Sequence, residues 1–385
     1  MAAIFLPRSM RVRGGALQEL PTALRQLGYL RPVVLTDAFM ASSGMLARVL
    51  AVLAEAGIEA RSFSGVVPDP TVRAVEEAVA FVRDGHHDCV IGFGGGSSID
   101  TAKAVAVLAV RGGAMQALKA PHQEDEPGLP IVAIPTTAGT GSEATRFTVV
   151  TDEATDEKML CVGLAYLPTL AIVDYELTLA KPLRLSADTG IDALTHAIEA
   201  YVSARANPFS DGLALAAMGA IWPHLRRVCA EPGDRAAREA MMLGALQAGM
   251  AFSNSSVALV HGMSRPIGAH FHVAHGLSNA MLLPTVTAWS APSAPGRYAA
   301  CARAMGVAEA GEDDQVAVAR LVEALRQINR DLDVPTPRSY GIDGTRWSQL
   351  LPVMAERALA SGSPGNNPRV PDAADIQALY RQSWA

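Results

Sequence analysis

The sequence predicts an α/β domain built on a parallel sheet, followed by an all-helical domain. Three observations carry that expectation. Up to about residue 185, short β-branched runs alternate with helical stretches, the pattern of a parallel sheet with helices on both faces. Beyond Ala187 the strand signals nearly vanish, and long alanine-rich segments with helical periodicity take over. The chain has 385 residues, half of them apolar and only 18% charged, which supplies two cores at roughly 100–200 residues per domain. The expected division is residues 1–185 and 186–385.

The elements follow in order. Pro32–Asp37 (PVVLTD) comes after Gly28 and reads as a buried strand ending on a polar residue. Met45–Gly57 places apolar residues at i, i+3 and i+4 and stops at a glycine, so it is a helix. Asp69-Pro70-Thr71 opens a second helix, Thr71–Gly85. Asp88–Phe93 (DCVIGF) is a strand running into Gly94-Gly95-Gly96; Ile99–Val110 is helical and Pro130–Pro135 (PIVAIP) is another strand. In the second half Asp188–Ser203, Asp211–Cys229, Ala236–Phe252 and Val257–His270 read as helices, and helical segments continue past Arg297 and Val316. Pro266 and the stretch His270–His275 break the pattern, as a helix end or kink does. Pro292–Pro295 and Pro335–Pro337 are turns, and Ser361–Pro368 is a polar loop.

Composition narrows the function. Net charge is −6 with acids and bases mixed, and no basic stripe answers a phosphate backbone, which argues against nucleic acid as partner. No apolar run reaches the roughly 18 residues of a membrane span; Met159–Val173 is interrupted by Pro168 and ends at Asp174. Arg8, Arg11 and Arg13 follow only a few apolar residues, unlike a signal peptide. A soluble, cytoplasmic protein is expected. Cys89, Cys161, Cys229 and Cys301 form no CxxC pair and read as reduced, buried thiols without a chemical role.

Two loops are candidate anion cradles. Phe93-Gly94-Gly95-Gly96-Ser97-Ser98-Ile99-Asp100 lies where a strand hands over to a helix. Its glycines allow close backbone approach, and the helix N-terminus favours a phosphate. The same residues also suit a tight βα turn with a serine cap, and they do not form GxGxxG. Pro135-Thr136-Thr137-Ala138-Gly139-Thr140-Gly141-Ser142-Glu143 follows another apolar strand. It offers hydroxyls to ribose or phosphate oxygens, or else a helix start capped by Ser142. Two such loops at strand ends fit an extended cofactor across the carboxyl edge of a parallel sheet.

The histidines point to a metal. Asp192 and His196 are spaced i, i+4 in DTGIDALTHAIE and leave one face of a helix. His261, His270, His272 and His275 follow downstream, so five of the nine histidines fall in two segments. One carboxylate with three imidazoles suits Zn²⁺ or Fe²⁺; an isolated Asp/His pair would equally be a surface ion pair.

These motifs together resemble the iron-containing alcohol dehydrogenase family, over essentially the whole chain. The resemblance rests on Leu35-Thr36-Asp37, Gly65-Val66-Val67-Pro68-Asp69-Pro70-Thr71, GGGSSID, PTTAGTGSE and DTGIDALTHAIEAY. It continues through His261-Gly262, His275-Gly276-Leu277-Ser278-Asn279-Ala280 and the C-terminal Gly365-Asn366-Asn367-Pro368-Arg369. Each motif is moderately specific; their order and spacing are highly specific. The resemblance implies a dehydroquinate synthase-like fold: an α/β dinucleotide-binding domain, an all-α metal- and substrate-binding domain, and an active site in the cleft. It implies metal ligands Asp192, His196, His261 and His275, with His261 and His275 also at the catalytic centre. It implies cofactor contacts at Gly95, Gly96, Ser97, Thr136, Thr137, Thr140 and Lys158. Asp37 matches the acidic residue that favours NAD over NADP, because a carboxylate accepts from a 2′-hydroxyl and repels a 2′-phosphate. The implied reaction is hydride transfer between an alcohol and NAD, with NADP as alternative, in a homodimer or larger homo-oligomer.

Two positions depart from the family pattern. Many members carry a proton-relaying histidine four residues after the third ligand, where this chain has Arg265. With a pKa above about 12, arginine is a poor shuttle; it is instead a candidate for recognising an acidic substrate group, or it pairs with a protein carboxylate. His272, and less so His270, is a candidate substitute relay. The Pro-His-Gly usual at the last ligand is Ala274-His275-Gly276. Competing readings are a dehydroquinate synthase-like or maleylacetate reductase-like enzyme on the same fold, and a metal-dependent hydrolase without cofactor.

Overall fold

The computed structural model describes residues 3–385. It divides into two compact units, Ile4–Ala180 and Lys181–Ala385, so residue 185 falls inside the helix Leu183–Val202 rather than between the units.

The first unit contains eight strands: β1 Ser9–Val12, β2 Pro32–Asp37, β3 Arg61–Val66, β4 Cys89–Gly94, β5 Ile131–Pro135, β6 Phe147–Asp152, β7 Glu157–Val162 and β8 Leu170–Val173. Six form one parallel sheet in the order β1-β8-β5-β4-β2-β3, and β6 pairs with β7 as a separate antiparallel hairpin. Residues alternate between its faces, as a two-residue period requires. Val33, Leu35, Val90 and Ile131 join the core under the helices Val72–Asp84 and Gly96–Arg111. Val34, Ile91, Phe93, Val132 and Ile134 join the opposite core with the helices Leu20–Leu27 and Met45–Glu55. β4 and β5 are buried along their whole length, which explains their unbroken apolar runs. Their register sets Gly94 opposite Pro135, so the two candidate loops leave the sheet side by side.

The second unit is helical among its described residues. Its longer helices are Leu183–Val202, Pro208–Ala230, Arg235–Ser253, Leu259–Phe271, His275–Ser290, Asp314–Asp331 and Gly344–Ala360. Pro266 does not end its helix: Leu259–Phe271 continues past it, as the expected helix Val257–His270 did, and ends within the stretch His270–His275. Proline forfeits one intrahelical bond there, while Met263 and Ile267 on either side are fully buried and hold the segment by packing. The break comes at His272, whose φ of 55° is left-handed and whose N–H bonds the Gly268 carbonyl at 3.0 Å. The four cysteines are free thiols and buried. No described helix is long and apolar enough to cross a membrane.

Candidate metal centre and cofactor loops

Four side chains of the helical unit converge. Asp192 and His196 lie one turn apart on Leu183–Val202, His261 lies on Leu259–Phe271, and His275 opens His275–Ser290. One ligand atom from each lies within 4.8 Å of the others. Asp192, His196 and His261 are buried, whereas the His275 side chain is 39% exposed, so the cluster is accessible from that side. The three-residue break after Phe271 returns His275 towards His261. Gly276 allows the close approach: a Cβ there would stand 2.6 Å from the Asp188 carbonyl oxygen on the first ligand helix.

A second set of residues orients the first. Glu199, three residues beyond His196, accepts from His261 Nδ1 at 2.6 Å and from the N–H groups of Ala258 at 3.0 Å and Val260 at 2.6 Å. That arrangement places the His261 proton on Nδ1 and leaves the Nε2 lone pair for the cluster. Ser264 Oγ lies 3.3 Å from His275 Nδ1, and Ser278 donates to Ser264 at 3.0 Å. Asn279 Nδ2 donates to Asp192 Oδ1 at 2.6 Å and lies 3.1 and 3.2 Å from Nε2 of His261 and His275. Its two hydrogens face three acceptors, and its Oδ1 is buried without a partner among the described residues. The cluster therefore holds more lone pairs than the protein satisfies, which fits a divalent cation and its Asp/His₃ donor set. Burial alone would lower the His261 pKa, but Glu199 and Asp192 outweigh it and raise it to about 9. Burial would raise Asp192, yet His196, His275 and His261 hold it well below the usual carboxylate range.

Arg265 sits one turn beyond His261 on the same helix, half-buried. Burial lowers its pKa against the pull of Glu199. No hydrogen bond or ion pair engages its guanidinium among the described residues. His272 is exposed and serves as the helix terminator, and His270 occupies the last turn; neither belongs to the ligand cluster.

The cofactor candidates lie at the carboxyl ends of β2, β4 and β5. Gly95 begins the 16-residue helix Gly96–Arg111, and no side chain caps that start, so its first N–H groups face outward for an anion. A Cβ on Gly95 would meet only Thr137, at 3.6 Å, so the loop borders open space; on Gly96 it would press on Thr140 at 2.8 Å. Ser97 is half-buried in the first turn. Thr136 is fully buried, donates its N–H to the Gly94 carbonyl at 2.8 Å, and its hydroxyl has no partner among the described residues. Asp37 Oδ1 accepts from the Met40 N–H at 2.8 Å and caps a short helix, while its Oδ2 lies 3.7 Å from where a Gly94 Cβ would be. Lys158 stands apart on β7 and pairs with Asp69 at 2.8 Å.

Sequence reasoning missed what binds the two loops together. Lys103 is fully buried and donates to the Thr145 carbonyl and hydroxyl at 2.9 Å and to the Phe147 carbonyl at 2.7 Å. Asp100 accepts from Ser142 Oγ at 2.6 Å and from the Val149 N–H at 3.1 Å, so Ser142 is held by Asp100 rather than capping a helix. Burial lowers Lys103 to about 8 and raises the neighbouring Glu143 to about 7. The signal was present: a charged pair one turn apart in the otherwise apolar helix DTAKAVAVLAV. Glu199 and Asn279 left a weaker trace, standing three and four residues after His196 and His275 on the ligands' own helix faces.

Both halves match known families. A profile described as "Iron-containing alcohol dehydrogenase" covers residues 7–175, and one described as "Fe-containing alcohol dehydrogenase family, C-terminal" covers residues 186–384. The chain is 40% identical to a long-chain-alcohol dehydrogenase of Geobacillus thermodenitrificans, over 100% of this chain and 97% of the relative. It is 36% identical to an NAD-dependent methanol dehydrogenase of Bacillus methanolicus, over 100% of both chains. A solved 1,3-propanediol oxidoreductase superposes with a TM-score of 0.95 at 34% identity, over 100% of both chains. The protein belongs to the iron-containing alcohol dehydrogenase family and is an NAD(P)-linked oxidoreductase of alcohols and carbonyl compounds.

Proposed function

We propose that the protein oxidises an alcohol reversibly to its aldehyde or ketone with NAD, NADP being the poorer cofactor, at a centre formed by Asp192, His196, His261 and His275. The convergence of those four ligand atoms carries the reading. A divalent ion there, Fe²⁺ or Zn²⁺, supplies Lewis acidity towards the alcohol oxygen, and the nicotinamide ring supplies the hydride acceptor. The chain's residues do the rest. Glu199 and Ser264 orient His261 and His275, and the His275 side gives the substrate access. Gly95, Gly96 and Ser97 present backbone donors to the pyrophosphate, with Thr136, Thr137 and Thr140 beside them. Asp37 keeps Oδ2 for a ribose hydroxyl, and Lys158 offers the N–H donors not spent on Asp69. His272, exposed, is the remaining imidazole for proton exit to solvent. The iron-containing family favours Fe²⁺, although the donor set accepts either metal. Four buried free thiols support a cytoplasmic location; a homo-oligomer is carried over from the family resemblance alone.

A fluorescence titration with NADH, paired with His261→Ala, tests the assignment. Wild type should bind NADH saturably. The variant should lose its metal and its activity but keep NADH binding, because the cofactor loops lie in the other unit. Absence of NADH binding at millimolar concentrations would favour the cofactor-free hydrolase. Full metal content in the variant, by elemental analysis, would remove His261 from the ligand set.

A further inference from the structure

We propose that Arg265 is the anion-recognition residue of this centre and that its preferred substrates are short hydroxy carboxylates and the matching oxo acids. The inference rests on the alcohol dehydrogenase reading and specifies its substrate class.

Arg265 follows His261 by four residues within one helix, so its side chain leaves the same face one turn along. His261 is 3% exposed, whereas Arg265 is half-buried, so exposure rises along this face from His261 to Arg265 while the guanidinium itself stays desolvated. The adjacent Ser264 touches His275, the exposed ligand. Arg265 is thus one turn from a buried ligand position and next in sequence to a residue that touches the exposed one. Its helix crowds it little, since Gly262, Gly268 and Ala269 are its neighbours at i−3, i+3 and i+4.

A partly desolvated guanidinium calls for an anion, and the protein does not supply a paired one. Glu199 is the carboxylate acting on Arg265, but its oxygens are committed: Oε1 to Val260, and Oε2 to Ala258 and His261. Formal charge leads to the same conclusion. Asp192 and Glu199 together balance a divalent ion, the histidine ligands are neutral when coordinating, and Arg265 leaves the centre with one positive charge. A monoanionic substrate neutralises it, and the planar guanidinium matches a carboxylate through paired N–H···O bonds. In the oxidation the substrate's C–H bond breaks and its electron pair passes with the hydrogen to NAD⁺. The hydroxyl proton leaves to solvent, the C=O bond forms, and the carboxylate is unchanged.

The experiment compares wild type, Arg265→Met and Arg265→Lys, all with metal bound. Substrates are ω-hydroxy carboxylates and 1-alkanols of equal carbon count. Wild type should prefer the hydroxy acids. Arg265→Met should lose about 10- to 100-fold in kcat/KM on them, the worth of a charge-assisted contact, mostly through KM, and change about twofold or less on the alkanols. Arg265→Lys should fall between, keeping charge without the fork. Calorimetric titration with propanoate should show binding to wild type that the Met variant lacks. A wild type without preference for hydroxy acids, or equal losses on both classes, overturns the proposal. If wild type oxidises neither class, the dehydrogenase reading fails instead; propanoate binding still decides, and equal affinity in wild type and Arg265→Met overturns the role of Arg265.

Discussion

Replacing Glu199 by Gln exchanges one acceptor oxygen for an NH₂ where three N–H groups converge. The carboxylate receives Ala258, Val260 and His261 Nδ1 at 3.0, 2.6 and 2.6 Å. The amide oxygen can keep one or two of these, but its NH₂ must then face a donor. Either His261 moves its proton to Nε2, blocking the lone pair aimed at the metal, or the ring loses its anchor. Losing an outer-shell partner of a ligand costs about 10- to 100-fold in metal affinity, or about 1.4–2.7 kcal/mol. A buried N–H left unpaired adds about 1–3 kcal/mol against folding. The assay is competition for the metal with a chromophoric chelator, with NADH binding as the control. Glu199→Gln should weaken metal binding within that range and leave NADH affinity unchanged. Metal affinity within about twofold of wild type would refute the orienting role, because the factor expected from an outer-shell partner would be missing.

Two further outcomes concern the α/β unit. Asp37→Ser should raise kcat/KM for NADP relative to NAD, since the carboxylate that repels a 2′-phosphate is gone; an unchanged ratio would count against Asp37 as the discriminating residue. Glu143→Gln probes the buried charge between the loops, where burial raises the carboxyl from 4.5 to about 7. Because the folded pKa exceeds the unfolded one, the stability it contributes is fully present below 4.5 and is lost as pH rises through about 7. Glutamine cannot ionise, so the variant should gain on wild type across that window, by about 3 kcal/mol at most. Urea midpoints at about pH 4.5 and about pH 8 should therefore diverge; a constant difference would show that Glu143 does not titrate there.

The buried centre of the sheet was legible in the sequence because burial on both faces writes itself as a continuous apolar run. PVVLTD, DCVIGF and PIVAIP became β2, β4 and β5 within a residue or two. The edges were not. β3, RSFSGV, is largely exposed, and β1, SMRV, is half-exposed, so neither carries a buried pattern. β8 lay hidden in the run Met159–Val173, where β7, a loop and a strand share one apolar stretch. The convergent set from Asp192 to His275 was readable as a candidate because its residue types are scarce. Its supports were not, because Glu199 and Asn279 matter through a partner on another helix, and sequence spacing does not disclose partners. At Pro266 local propensity marks an end or a kink, and the helix runs on with Met263 and Ile267 fully buried on either side.

The four proposed ligands come from three helices, Leu183–Val202, Leu259–Phe271 and His275–Ser290, the first of them far from the other two along the chain. An ion held by all of them would be a cross-link as well as a reagent, closing one long stretch of chain, between His196 and His261, and one short one, between His261 and His275, that an unfolded polypeptide leaves free. Durability of the helical unit then becomes a property of its surroundings. At free metal about 100-fold above the dissociation constant the folded form gains about 2.7 kcal/mol, and each tenfold fall in supply returns about 1.4 kcal/mol of that gain. If the proposed site holds its metal, metal starvation would shorten the enzyme's lifetime as well as lower its turnover.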